Sequence, residues 1–233
     1  MKTLAVLSRK GGTGKTTLAL HLAAAARAAG VSTLVADLDR QQSATEWRRL
    51  RGAGDFAVEA VKPGALFTRQ RDAARDGIEL LIVDTPPTAE GEVEQAIRCA
   101  DLCLIVARPN FFDLRAVAES AALAESFHRD TVFVMNQAPP RRNGFEAPVV
   151  GQAAAALRRL APVAPIGLRA RVAYQQSVAH GRVAQELDPD SAAAAEIAGL
   201  WRWLDQRLQA ERIAAPVLPT FMALGAERAV RPL

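Results

Sequence analysis

Cysteine is scarce in this chain: 233 residues contain two, Cys99 and Cys103. That excludes a disulfide-built scaffold and fits a reducing, cytoplasmic setting. No run of 18 uninterrupted apolar residues occurs, so no membrane-spanning helix is expected. Met1-Lys2 leads straight into an apolar run without the pattern of a cleavable leader. Aromatic residues make up only 5%, with one tyrosine, and there are four lysines (Lys2, Lys10, Lys15, Lys62) against 25 arginines. Against that background two lysines five positions apart, Lys10 and Lys15, stand out. What is plentiful is apolar: half of the residues are hydrophobic and 23% are charged. That composition supports a packed core, excludes wholesale disorder and suits one α/β domain at this length.

Charge is unevenly placed. Residues 1–140 hold 17 basic and 17 acidic residues, and residues 141–233 hold 12 against 8, so the whole surplus of +4 lies in the last third.

Apolar β-branched runs alternate with amphipathic Ala/Leu/Arg stretches. The pattern predicts strands over Thr3–Leu7, Ser32–Ala36, Ala57–Val61, Leu80–Val83, Leu102–Ala107, Val132–Met135 and Val163–Ile166. Helices are predicted over Lys15–Ala29, Ser43–Arg51, Ala65–Arg75, Glu90–Arg98, Leu114–Phe127, Glu146–Leu160, Val172–His180 and Ala192–Glu211. Strands followed by helices, with nearly continuous apolar strands, indicate a single α/β domain: a mostly parallel twisted sheet with helices on both faces. The domain is expected over residues 1–213, with a Pro-containing tail over 214–233. Ligands in such folds bind outside the carboxyl ends of the strands. That directs attention to Ser8–Thr17, Asp37–Ser43, Asp84–Thr88, Arg108–Asp113 and Asn136–Arg142.

Residues 9–17 read Arg-Lys-Gly-Gly-Thr-Gly-Lys-Thr-Thr between a strand and a helix. Glycines there let backbone N–H groups turn inward around phosphate oxygens at a positive helix N-terminus. Lys15 can reach the β- and γ-phosphates, and the Thr16 hydroxyl can bind Mg²⁺. The general phosphate-loop pattern has glycine six residues before the lysine; here that position is Arg9, and Gly11, Gly12 and Gly14 crowd the other side. Leu80-Leu-Ile-Val-Asp84 is an apolar strand ending in a carboxylate, suited either to hold a Mg²⁺-bound water beside Thr16 or to cap a following helix. Val35-Ala-Asp37-Leu-Asp39 is a second acidic strand end, whose carboxylates at i and i+2 are expected to point the same way.

Lys10-Gly-Gly-Thr-Gly-Lys-Thr-Thr17 is similar to the deviant Walker A motif of the ParA/MinD family of P-loop ATPases. The resemblance implies that Lys10, Gly11, Gly12, Thr13, Gly14, Lys15, Thr16 and Thr17 bind ATP, with Mg²⁺ as cofactor. It implies that Lys10 crosses the interface of an ATP-sandwich homodimer to the partner's phosphates; a second cation there would offset charge developing in phosphoryl transfer. Asp37-Leu-Asp39-Arg40-Gln41 resembles the family's first switch segment, which makes Asp39 the residue that orients the attacking water and Lys10, Lys15 and Asp39 the catalytic set. Arg40 stands where the family usually has proline. Asp84 corresponds to the Walker B carboxylate, reaching the metal through water. Asn136 matches an adenine-contacting asparagine whose amide suits the N6/N7 edge; an Asx turn before Pro139-Pro140 is the alternative.

Within that family the chain most resembles the short partition ATPases, since only nine residues precede Lys10 and leave no room for a helix-turn-helix domain. Residues 213–233, with three prolines and two arginines, do not suit the amphipathic membrane-binding helix of MinD-like members. Cys99 and Cys103 lie four apart and are expected to be packed thiols, not cluster ligands. A DNA surface is expected among the arginines after residue 140 (Arg141, Arg142, Arg158, Arg159, Arg202 and Arg207 included). Arg169, Arg171 and Arg182 are favoured because Leu168–Gly181 resembles the corresponding family stretch.

The function the resemblance implies is a cytoplasmic, nucleoid-associated partition ATPase. It would dimerise on Mg-ATP, bind DNA without sequence preference, and hydrolyse ATP slowly under a ParB-like adaptor to position a plasmid, chromosome or protein-cluster cargo. A MinD-like ATPase acting on a membrane surface is the alternative.

Overall fold

Every residue of a strand that is apolar on both sides needs cover on both faces of its sheet. The chain provides that cover from two different sets of helices. The computed structural model describes residues 1–52, 54–87 and 90–214. In chain order these form β1 (Lys2–Leu7), α1 (Lys15–Ala28), β2 (Thr33–Asp37), α2 (Ser43–Arg51), β3 (Ala57–Ala60) and a 3₁₀ turn (Pro63–Ala65). There follow α3 (Leu66–Arg75), β4 (Leu80–Asp84), α4 (Glu90–Cys99), β5 (Leu102–Ala107), α5 (Phe111–Ser126) and β6 (Asp130–Met135). The last elements are α6 (Pro148–Leu157), α7 (Val172–Ala179), α8 (Ala184–Leu187) and α9 (Ala192–Ala214). The six strands pair in parallel in the order β3-β2-β4-β1-β5-β6. The expected single α/β domain with a parallel sheet is what the chain builds.

Alternation along the strands divides the core. Leu4, Val6, Ile82 and Leu104 face one layer, with α1, α2, α7, α8 and α9. Ala5, Leu7, Val83 and Ile105 face the other, with α3, α4, α5 and α6. On α9 the buried positions Ala193, Ile197, Leu200, Trp201, Leu204 and Leu208 recur at helical spacing, which accounts for Trp201 as a packing residue. Gly30 ends α1 in the left-handed region (φ 85°), and Val31 N–H donates to Ala26 O at 3.0 Å.

The expected seventh strand over Val163–Ile166 does not form. Residues 162–170 run alongside β6 and the residues that follow it, with two isolated bridges, Phe133 with Val163 and Ala138 with Arg169. Ala164 N–H donates to Phe133 O, but the next donor to reach β6 is Leu168, to Met135 O at 2.8 Å. Ile166, the next donor in a regular ladder, does not make that bond, and the strap loops out between the two contacts. It returns where Gly167 passes so close to Met135 that a Cβ would lie 3.1 Å from its carbonyl oxygen. The short helix α8 has no counterpart in the sequence expectations. Helix α9 runs on to Ala214, and the tail expected beyond it lies outside the described residues. Among those residues no helix is long and apolar enough to cross a membrane.

Candidate functional site

β1 and β4 are neighbours, yet the chain leaves β1 toward α1 on one face and leaves β4 toward α4 on the other. The divergence opens a crevice at their carboxyl ends. The loop that spans it bends through Gly12 (φ 71°) and Gly14 (φ 90°), both left-handed. At Gly14 a side chain is doubly excluded, because a Cβ would lie 2.5 Å from Asn136 Nδ2. Gly14 is also the residue that caps α1; no side chain caps that helix and its first turn has no acidic residue. Its N–H groups are therefore left for an anion. Lys10 closes the base of the loop: its N–H reaches Ser8 Oγ and its carbonyl accepts from Thr13 Oγ1, each at 3.4 Å.

The start of α1 and the end of β4 deliver opposite charges into this crevice. Thr16 Oγ1 donates to Asp84 Oδ2 at 2.7 Å. Asp84 is fully buried, and its other oxygen, Oδ1, has no hydrogen-bond partner. Burial, helped by the neighbouring charges of Asp37 and Asp39, pushes its carboxyl up to about 7 against the pull of Thr16 and Lys15. Lys15 is 6% exposed, and burial lowers its ammonium despite the attraction of Asp84 and Asp39. In both groups burial outweighs their mutual attraction. A polyphosphate would satisfy the lysine, and a hard cation the carboxylate. A hydroxyl and an orphaned carboxylate oxygen are a donor set that suits Mg²⁺. Among the described residues no group of three or more His, Cys, Asp or Glu could cage a metal unaided, so such a cation would share phosphate oxygens.

The two acids of the second strand end have different partners. β2 ends at Asp37, which pairs in register with Asp84. Asp37 Oδ2 accepts from both the N–H and the Oγ1 of Thr45 at 3.0 Å, tying down the first turn of α2. Burial raises its carboxyl. Beyond it the backbone turns, and Asp39, half-buried at the crevice mouth, accepts Gln41 N–H on Oδ1 at 2.9 Å. Asp37 is therefore a structural clamp and Asp39 the carboxylate left at the mouth. Arg40 points outward, 89% exposed, with a loose pair to Glu92 at 3.4 Å.

Asn136 ends β6 and supports the loop from below. Its Nδ2 donates to Thr13 O at 2.7 Å and its Oδ1 accepts Gln137 N–H at 2.9 Å. Gln137 Nε2 adds a bond to Gly12 O at 3.0 Å. The same two side chains line a cleft of about 390 Å³ that continues from Gly12 and Gly14 to Leu168 and Tyr174. His21 forms part of its wall. It is fully buried, and burial lowers its imidazole to about 4. Neutral, it donates from Nδ1 to Thr17 O at 2.7 Å and accepts Ala184 N–H on Nε2 at 3.0 Å. It thereby ties the first turn of α1 to α8. Neither His21 nor Gln137 was evident in the sequence, because a lone histidine in an alanine-rich helix carries no spacing signal.

The three favoured arginines fare differently. Arg169 grips Glu146 with both terminal nitrogens and donates to Pro139 O at 2.9 Å, leaving its side chain 11% exposed. Arg171 is paired with Glu196 at 2.6 Å. Glu146, held also by Arg141, is pulled down to about 2 by these guanidinium groups. Only Arg182 is exposed. Glu146 and Glu196 lie too far along the sequence from Arg169 and Arg171 for the pairing to be read from spacing. Cys99 is half-buried and Cys103 buried, and neither forms a disulfide.

With that geometry in hand, comparison with known proteins is informative. The profile of the family described as the CobQ/CobB/MinD/ParA nucleotide binding domain matches residues 4–215. The chain is 30% identical over 214 residues to the maintenance of carboxysome distribution protein A of Gloeobacter kilaueensis, covering 81% of this chain and 95% of that protein. It is 26% identical over 154 residues to the chromosome-partitioning ATPase Soj of Thermus thermophilus, covering 54% and 62%. Its fold superimposes on the MinD cell division protein of Aquifex aeolicus with a TM-score of 0.71 at 20% identity, over 88% of this chain and 98% of that one.

Proposed function

The chain belongs to the CobQ/CobB/MinD/ParA nucleotide-binding family, and from that premise we propose that it is a partition-type ATPase switch. One observation carries the proposal. A glycine loop with Lys10 and Lys15 stands over Thr16 and the buried Asp84, one of whose oxygens has no hydrogen-bond partner, with Asp39 at the mouth of the same crevice. In this reading the loop N–H groups and Lys15 hold the phosphates of ATP, and the base lies in the cleft beside Asn136. Thr16 and Asp84 would hold Mg²⁺, which when bound would offset charge on the transferring phosphoryl group. Asp39 orients the attacking water, and Lys10 reaches the phosphates of a second protomer in a homodimer.

The dimer would bind DNA without sequence preference and release it after hydrolysis, stimulated by an adaptor protein, so that a cargo is placed. Differential affinity of the two nucleotide states for DNA is what makes such a cycle work. Arg182, doubled by the two-fold axis, would be its most accessible favoured contact, whereas Arg169 and Arg171 would have to exchange Glu146 and Glu196 for phosphate. The likeness to a carboxysome-distributing protein and to a chromosome-partitioning one supports positioning as the biological task and leaves the cargo open.

The test is phosphate release together with light-scattering mass in Mg-ATP, Mg-ADP and no nucleotide. A dimer in ATP alone, with slow turnover, is expected. A monomer in all three states, or no turnover, overturns the proposal.

A further inference from the structure

The sheet's outer edge beyond β6 is flanked by α6 on one face and α9 on the other, and between them runs an open groove of about 800 Å³. Its surface between the helices is small and apolar: Gly151 and Ala154 of α6, Ala164 and Ile166 of the strap. Gly151, Ala154 and Arg158 fall at i, i+3 and i+7 and line the groove along one face of α6. That face is about 10 Å long.

Gly151 is the informative residue. Glycine inside a helix is destabilising relative to alanine, and here a Cβ would meet nothing within 4 Å. Nothing among the described residues therefore requires a missing side chain at this place. Its effect is to leave the groove open.

Charge surrounds the apolar stretch. Arg141, Arg169 and Arg171 stand at one end with Glu146 and Glu196, and Arg158 stands at the other. Glu146 is shared by Arg141 and Arg169, and Glu196 accepts from Arg171 and from the Tyr174 hydroxyl. The lining thus carries two positive charges in excess, four arginines against two carboxylates. Arg158 makes no ion pair among the described residues.

We infer that this groove docks a short, acidic, apolar-faced segment of a partner protein. Its apolar side chains lie over Gly151 and Ala154, and a carboxylate meets Arg158. The inference deepens the function proposed above and rests on it, since a switch ATPase of this kind acts through an adaptor; the groove is where that adaptor would be held, apart from the nucleotide crevice.

The experiment pans a displayed library of random 16-residue peptides on the full chain in Mg-ATP. The enriched peptides are synthesised and titrated against wild type, Gly151→Trp and Arg158→Glu, with phosphate release measured on each. Gly151→Trp fills the groove from a position with free space, and Arg158→Glu reverses an exposed charge, so each serves if the other misfolds. The expected result is enrichment of peptides rich in Asp or Glu with Leu or Phe. Each variant should weaken their binding at least tenfold, and phosphate release by Gly151→Trp should stay within twofold of wild type. No enrichment, a basic pool, or binding indifferent to both variants overturns the inference. Absence of phosphate release in wild type, with peptide binding intact and variant-sensitive, would strike the ATPase reading and leave the groove standing.

Discussion

Thr16 Oγ1 donates to Asp84 Oδ2 at 2.7 Å, while Oδ1 of the same buried carboxylate has no partner. A carboxylate held by one hydroxyl on one side only is poised for a ligand on the other. The folded chain without ligand bears the cost of that arrangement.

Asp84→Asn should therefore stabilise the nucleotide-free protein and abolish its turnover. The Asp84 carboxyl is raised from 3.8 to about 7, chiefly by burial. Between those values the folded state keeps a proton that the unfolded chain has released, so this group's contribution to stability falls as pH rises from 4 to 7. The melting temperature of Asp84→Asn should exceed that of wild type at pH 8, with the gap closing toward pH 5. Phosphate release should drop by at least roughly 10²-fold, the scale expected for losing a transition-state charge contact. A lower melting temperature at pH 8 would show that the pairing with Lys15 outweighs burial.

His21 should stay neutral through the physiological range. Its lowered value, about 4 against 6.5, follows from burial. Folding thus requires a neutral ring, and stability from this group is lost as pH falls from 6.5 toward 4. Asp84 acts in the opposite direction over part of that window, so the ring itself is the cleaner observable. Its NMR resonances should not titrate above pH 5. A midpoint near 6.5 would contradict the buried, doubly hydrogen-bonded placement.

The two loop lysines and Asp39 should separate three properties. Lys15→Ala should abolish ATP binding. Lys10→Ala should keep nucleotide binding by the monomer and weaken dimerisation or turnover. Asp39→Ala should bind ATP and accumulate the dimer, with turnover reduced by roughly 10²-fold or more, as expected when a water-positioning group is lost. Equilibrium nucleotide binding, light-scattering mass and phosphate release on the three variants check this. Normal turnover in Asp39→Ala would remove Asp39 from its assigned role.

Gly181→Ala should destabilise the fold although the residue is far from the crevice. Gly181 has φ 65°, and a Cβ would lie 2.7 Å from Arg51 N and 2.8 Å from Leu50 C, backbone atoms that cannot step aside. A loss of about 1–3 kcal/mol is expected from such overpacking, measured by urea unfolding. The same contact holds Arg51 over Trp47 and against Glu186.

Much of the site was legible in the sequence. Lys10–Thr17 and Asp84 are local motifs whose chemistry follows from residue type and from the strand-to-helix setting. Strands such as Leu102–Ala107 announce themselves by continuous apolar character. The failures share a cause in long-range partners. Val163–Ile166 has strand-like composition, but Leu168 and not Ile166 takes the carbonyl of Met135. Arg169 and Arg171 look like free cations until Glu146 and Glu196 are brought to them from 23 and 25 residues away. Asp37 and Asp39 look equivalent until Thr45 claims the first. Helix α8 depends on Glu186, which accepts Val183 N–H at 3.0 Å while pairing with Arg51 of α2; no local periodicity encodes that.

Nucleotide-gated DNA binding tests the account most directly. Random-sequence duplex would be titrated with the full chain in Mg-ATP, in Mg-ADP and without nucleotide, each at 50 and 200 mM salt. Binding in ATP alone, indifferent to sequence, is predicted. About six phosphate contacts across a dimer would weaken that binding by roughly 10³-fold between the two salt concentrations. Equal binding in all three states, or none in any, would contradict a switch that holds and releases DNA.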